Sequence, residues 1–322
     1  MRIHWLPLLL GLPAGAAHAG EAEPVTLGAK LEHRYDVQPG ERHRIQQALT
    51  VSFTADLAGF LTLAGKGFTG SKYSTRWDTL YDFREPSEGL QAPEMHLRQV
   101  WAEAEAGPLR VQAGAIPPFK ESISRITLAY YGWIDGARAE LTAGPVVVEL
   151  VGGRLGDFDT PGVIERERRP NFAELELTAT FTPVWGAELG GEVIDGVPWV
   201  KGEVSADLSG WKPHLPRLAV ECLYDTGEGA PAVDLSAGVD VLPMLVGEHP
   251  KRLKARVNYT YIDPDVGPRA RQSDDFDGTG HIGTVKLKGL ILEPWGLGWF
   301  TRWTFSDDPV RVVAGFVIDV SS

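Results

Sequence analysis

The chain has a single cysteine, Cys222, in 322 residues. One thiol closes no internal disulfide and builds no cysteine-based zinc site, so disulfide stapling and thioredoxin-type chemistry are both excluded. Long apolar runs are missing too. No segment holds the ~18 uninterrupted apolar residues that a membrane-spanning helix needs. Cations are in deficit: 31 Lys and Arg stand against 43 Asp and Glu, a net charge of −12, which argues against nucleic acid as a partner. Hydrolase signatures are absent as well. None of the 8 His sits in H-E-x-x-H, and no Ser lies in G-x-S-x-G. Asp274-Asp275-Phe276-Asp277-Gly278 begins like a calcium loop but lacks the Glu that completes one, and it reads as a solvated acidic loop. The sequence therefore nominates no catalytic residue, no metal site and no cofactor.

What is present begins at the N-terminus. Met1-Arg2-Ile3-His4 is followed by the short apolar run Trp5-Leu6-Pro7-Leu8-Leu9-Leu10-Gly11-Leu12, and then by Ala17-His18-Ala19. A basic start, a short apolar stretch and an A-x-A site make a secretory signal peptide over residues 1–19. Cleavage after Ala19 would start the mature chain near Gly20. No Ser/Pro/Gly-rich linker divides residues 20–322, so a single domain is expected there.

That domain alternates. Apolar and polar residues trade places at period 2 over 25–35, 43–55, 58–68, 94–106, 109–116, 133–142, 146–154 and 172–182. The pattern continues over 186–194, 199–206, 215–226, 232–241, 252–262, 281–292, 296–306 and 310–320. At 252–261, Arg252, Lys254, Arg256, Asn258 and Thr260 take one face, and Leu253, Ala255, Val257, Tyr259 and Tyr261 take the other. A helix would need period 3.6. Sixteen such segments in one chain predict a transmembrane antiparallel β-barrel, with one side chain in two facing lipid.

The links agree. If both termini lie at the periplasmic end, every odd-to-even link is external. That set contains the longest links, 69–93, 117–132, 155–171 and 263–280, while the opposite set contains tight turns such as Gly107-Pro108 and Gly144-Pro145. Two links fit less well: 242–250 is long for an inner turn and 306–309 is short for an outer loop. Trp133, Trp185, Trp199, Trp211, Trp295 and Trp303 fall near strand ends, where interfacial girdles are expected.

With polar faces turned inward, charge separates along the chain. Glu103, Glu105, Glu140, Glu149, Glu174, Glu176, Glu188 and Glu192 form an acidic wall. Lys30, Arg34, Arg252, Lys254, Arg256, Lys286, Lys288, Arg302 and Arg311 form a basic wall, continuous once the last strand closes on the first. Two such walls would set a transverse field across a lumen. This predicts a water-filled conduit for small hydrophilic or anionic solutes in the outer membrane, surrounded by lipid and lipopolysaccharide, and not an enzyme. A plugged barrel serving as scaffold or adhesin, or an alginate-export-like polymer channel, remains the alternative.

One stretch adds a resemblance. Leu97-Arg98-Gln99-Val100-Trp101-Ala102-Glu103-Ala104-Glu105-Ala106 turns at Gly107-Pro108 and runs through Gly114 to Ile116-Pro117-Pro118-Phe119-Lys120. This strand–turn–strand ending in Gly-x-x-x-Pro-Phe, with Gly114, Pro118 and Phe119 in the matching places, resembles the phosphate-selective porin family of Gram-negative outer membranes. The resemblance implies a 16-stranded barrel, a homotrimer, and an inward-folded third loop. It places Pro117, Pro118, Phe119 and Lys120 at a constriction.

Overall fold

The computed structural model describes residues 25–70, 73, 75–118, 123–156, 161–164, 166, 169–212, 215–240, 253–266, 269, 272–273 and 278–321. The expected signal peptide, Phe119, Lys120, Arg252 and the acidic stretch 274–277 lie outside the described residues.

The strands are β1 (Val25–Gln38), β2 (Arg42–Ala58), β3 (Leu61–Thr69), β4 (Asp78–Asp82), β5 (Met95–Ala106), β6 (Leu109–Ile116), β7 (Ile134–Ala143), β8 (Val146–Leu155) and β9 (Phe172–Thr180). They continue with β10 (Trp185–Ile194), β11 (Val197–Asp207), β12 (Arg217–Asp225), β13 (Pro231–Asp240), β14 (Leu253–Ile262), β15 (Gly280–Leu292), β16 (Leu297–Phe305) and β17 (Arg311–Ser321). Each long strand pairs antiparallel with its neighbours in sequence, and β17 returns to β1, from Gly28 opposite Ser321 to Val37 opposite Val312. The sheet is therefore a closed barrel of sixteen staves. The short β4 is an addition to them. It pairs with Arg44–Gln47 of β2, beyond the reach of β3, and completes the wall there. Its five residues are too few to show alternation, which is why the sequence presents 69–93 only as a link.

Local chemistry sets the register. Asp195 and Gly196 both take positive φ (51° and 85°) between the paired Ile194 and Val197. That is the mirror-image turn whose twist matches a hairpin, and it needs residues that tolerate the left-handed region. Gly107-Pro108 and Gly144-Pro145 close hairpins at the opposite end, the end that carries both termini.

Burial is inverted relative to a water-soluble protein. On β9, Leu175 and Leu177 are 51% and 44% exposed, while Glu174 and Glu176 are 2% and 4% exposed. On β14, Val257 is 50% exposed and Asn258 is 1%. An apolar exterior around a polar interior is stable only where the surrounding solvent is itself apolar. Closure leaves no edge with unpaired backbone groups in that solvent. Trp185, Trp211 and Trp295 stand exposed at the turn-rich end, as girdle residues do. Trp133 and Trp199 do not. Both are buried inside the barrel, because closeness to a strand end fixes height and not face. Trp199 shares the inward face of β11 with Lys201.

Candidate functional site

The chain leaves β6 at Pro117-Pro118. By Ile123 it lies against the far wall. Ser236 Oγ of β13 and Asn258 Nδ2 of β14 each donate to the Ile123 carbonyl at 3.0 Å. The backbone N–H of Arg125 donates to Asp234 at 3.3 Å, and its guanidinium reaches Thr284 of β15. Further on, Arg269 and Ser273 donate to the Ile126 carbonyl at 3.1 and 3.2 Å, and Ala129 N–H donates to the Gln272 carbonyl at 2.8 Å. The sequence gives polar faces to the interior, yet the loop-rich end of the lumen is apolar. Ile126, Leu128 and Trp133 pack there with inward Ile116, Val151, Leu155, Phe172, Trp199, Leu223 and Ile262. Arg166 closes this packing from above, 4.1 Å over the Trp133 ring and 2.9 Å from Asp135. Burial pushes its pKa down to about 10, so it is still cationic at neutral pH.

Below that packing, two cavities of about 460 and 650 Å³ open among the described residues, and Ile123 and Arg217 line both. The first is bordered by Arg34, Lys254, Arg256, Lys286, Lys288 and Arg302, with Trp77, Tyr131 and Phe300. Strand register stacks its cations: Lys254 lies opposite Lys288, Arg256 opposite Lys286, and Lys286 opposite Arg302. Lys30 faces inward beside them and is an electrostatic neighbour of Lys288. On β1 the cations alternate with carboxylates. Glu32 pairs with Lys30 (3.5 Å) and with Arg76, and Asp36 pairs with Arg34 (3.9 Å), Arg44 (3.4 Å) and Arg311 (2.8 Å). Arg34 also lies 4.0 Å over Trp77, and Arg76 lies 4.3 Å over Tyr131.

The second cavity is bordered by Glu140, Glu149, Glu176, Glu188 and Glu203. Here the wall carries its own cations. Lys201 meets Glu174 at 2.7 Å, Glu188 at 3.0 Å, and Glu176. Arg138 meets Glu149 at 3.3 Å, Arg110 pairs with Glu140, and Arg269 with Glu192. Glu103 accepts from Gln112, and Glu105 lies opposite Arg110 toward the turn-rich end. Glu149, Glu174 and Glu176 bring ligand atoms within 4.8 Å of one another. The Lys201 ammonium already occupies the space between two of them, which makes this an ion-pair cluster.

The sequence did not single out Lys201, Arg138, Glu32, Asp36 or Asp234, although the alternating segments carry all of them except Asp36, which lies just past the first. Arg125 and Arg269 sit on loops, where no periodicity marks a face.

No family model and no curated protein matches the chain. Solved structures do. OpdK of Pseudomonas aeruginosa is 12% identical over 92% of this chain and 99% of its own, with a TM-score of 0.56. OprD of the same organism is 9% identical over 94% and 96%, at 0.56. A porin variant from Rh. blastica is 10% identical over 92% and 99%, at 0.56. The fold is that of outer-membrane porins. At these identities the likeness reaches the porin fold and no particular subgroup. OpdK has also been solved with vanillate.

Proposed function

We propose that this porin-fold barrel is a passive outer-membrane channel for small hydrophilic solutes, with a preference for anions. The observation that carries the reading is the stack Lys254, Arg256, Lys286 and Lys288 along one cavity of the lumen. Cations placed opposite cations weaken a sheet. Register nevertheless gathers four of them on one cavity, where their fields add. Low-dielectric walls focus their field. Trp77, Tyr131 and Phe300 border the same cavity and add an apolar surface, which suits small organic anions with a flat body as well as phosphate. Vanillate with OpdK is a solute of this kind on a barrel of the same fold.

In this reading the leader 1–19 is removed, the mature chain assembles as a homotrimer in lipid and lipopolysaccharide, and the loop at Pro117, Pro118, Phe119 and Lys120 frames the constriction. The apolar packing at the loop-rich end favours a second reading, a plugged barrel that displays its loops as a scaffold or adhesin. Reconstitution in planar bilayers separates the two. The channel reading expects steady current steps and a reversal potential on the anion side in a salt gradient. A barrel that gives no steps at all is the plugged one.

A further inference from the structure

Beside the Arg125 contact with Thr284, a hub on β13 ties the segment that begins at Ile123 to the far wall. Asp234 lies on the inward face of β13 and is wholly buried. Its Oδ1 accepts from Thr260 Oγ1 at 2.6 Å. Its Oδ2 accepts from the Arg125 backbone N–H at 3.3 Å, from Asn258 Nδ2 at 3.3 Å, and from Ser236 Oγ. Ser236 and Asn258 are the same two side chains that donate to the Ile123 carbonyl. A carbonyl and a carboxylate cannot bond each other, so the Asn258 amide, with two N–H groups, joins them, and the single Ser236 hydroxyl proton serves one or the other at a time. The carboxylate fixes how both donors point. Without it, the Arg125 N–H loses its acceptor in a buried place and the two donors lose their orientation.

Ile123 is where this matters, because it stands between the cavity lined by cations and the cavity lined by carboxylates. We infer that Asp234 is a positioning residue for selectivity. By pinning Ile123 and Arg125 to β13, it keeps the two compartments apart, so that a solute follows the cation ladder without meeting Glu149, Glu176 and Glu188. The inference rests on the channel reading given above.

The test uses the full chain with Cys222→Ser as parent, in planar bilayers. Asp234→Ala should raise single-channel conductance by about twofold and lower the anion-to-cation permeability ratio by about threefold, as merged walls of opposite charge average their fields. An added Cβ at Gly238 would lie 3.9 Å from Ile123 Cγ2, so Ile123→Cys with Gly238→Cys can tie the loop back to β13. In the Asp234→Ala background this disulfide should restore the permeability ratio, and reduction should abolish the rescue. If Asp234→Ala does not fold, Ser236→Ala with Asn258→Ala keeps the carboxylate, frees the Ile123 carbonyl, and is read for the same fall in ratio. Steps of normal quality with an unchanged ratio in the released variants overturn the inference alone, whatever the conductance does. A parent chain that gives no steps overturns the channel reading, and this inference with it.

Discussion

The two compartments of the lumen are built by the same sheet, on opposite arcs, and treat like charge differently. In both, register sets like against like: Glu140 faces Glu149, Glu149 faces Glu176, and Glu188 faces Glu203, just as Lys254 faces Lys288 and Arg256 faces Lys286. The acidic arc then recruits compensation from within its own wall, through Lys201, Arg138, Arg110 and Arg269. On the basic arc, Glu32 and Asp36 serve Lys30, Arg34, Arg44, Arg76 and Arg311, on or next to β1. Between β14 and β15 cation meets cation, and on its other side Lys254 lies opposite Asp240 of β13. One arc is cross-linked by its ion pairs and holds the barrel together. The other gathers cations from neighbouring strands on one cavity.

That contrast breaks most visibly at Lys201. Its side chain is 5% exposed and touches carboxylates from two strands. Lys201→Met removes the cation and leaves the carboxylates buried without it. A loss of about 3–5 kcal/mol is expected, because breaking a buried pair strands its partner. Thermal unfolding in detergent micelles reads it directly. An unchanged midpoint would mean that the acidic arc is not stitched in this way.

The second test acts on the other arc and should move function while sparing the fold. Lys286→Glu with Lys288→Glu inverts the sign midway along the ladder. The reversal potential should cross from anion to cation preference, with a change of about tenfold in permeability ratio, or about 1.4 kcal/mol. The unfolding midpoint should hardly move, since each Glu gains cationic neighbours. A large stability loss with unchanged ion preference would exchange the roles assigned to the two arcs.

The legible part of this molecule is the part that repeats. Period-2 alternation fixed which face of β9 or β14 turns inward, since a one-residue slip would move every side chain to the wrong solvent. Loop lengths fixed which end is which, with Gly107-Pro108 and Gly144-Pro145 as turns at one end and 263–280 as a long link at the other. The separation of charge into two arcs follows from those facts and from closure. What stayed hidden depends on contacts that run across the lumen. Asp234 looks like any polar residue of an alternating strand until Arg125 and Ile123, more than a hundred positions earlier, arrive beside it. Asp36 lies one residue past the expected end of its strand. Trp133 and Trp199 carry the composition of a girdle but sit on inward faces, because the loop-rich end of the lumen is filled by packing that no local pattern announces.

The smallest expected effect is the sharpest probe of how the acidic arc is tied. Gly190 faces inward on β10, opposite Lys201 on one side and Glu176 on the other. The Lys201 chain passes over it to reach β9. A Cβ at Gly190 would lie 2.9 Å from Lys201 Cε and 3.0 Å from the Leu175 carbonyl oxygen, so the lysine must move aside. Against that, alanine in place of a strand glycine gains roughly 0.5–1 kcal/mol from the unfolded side. Gly190→Ala alone should therefore cost no more than about 1 kcal/mol. The informative quantity is the coupling. In the Lys201→Met background the displaced lysine is gone, and the same change should become neutral or stabilising, a difference of about 1 kcal/mol in a double-mutant cycle. Equal effects in both backgrounds would show that the glycine serves only the backbone approach of β10 to β9, and that the path of Lys201 across the strand is incidental.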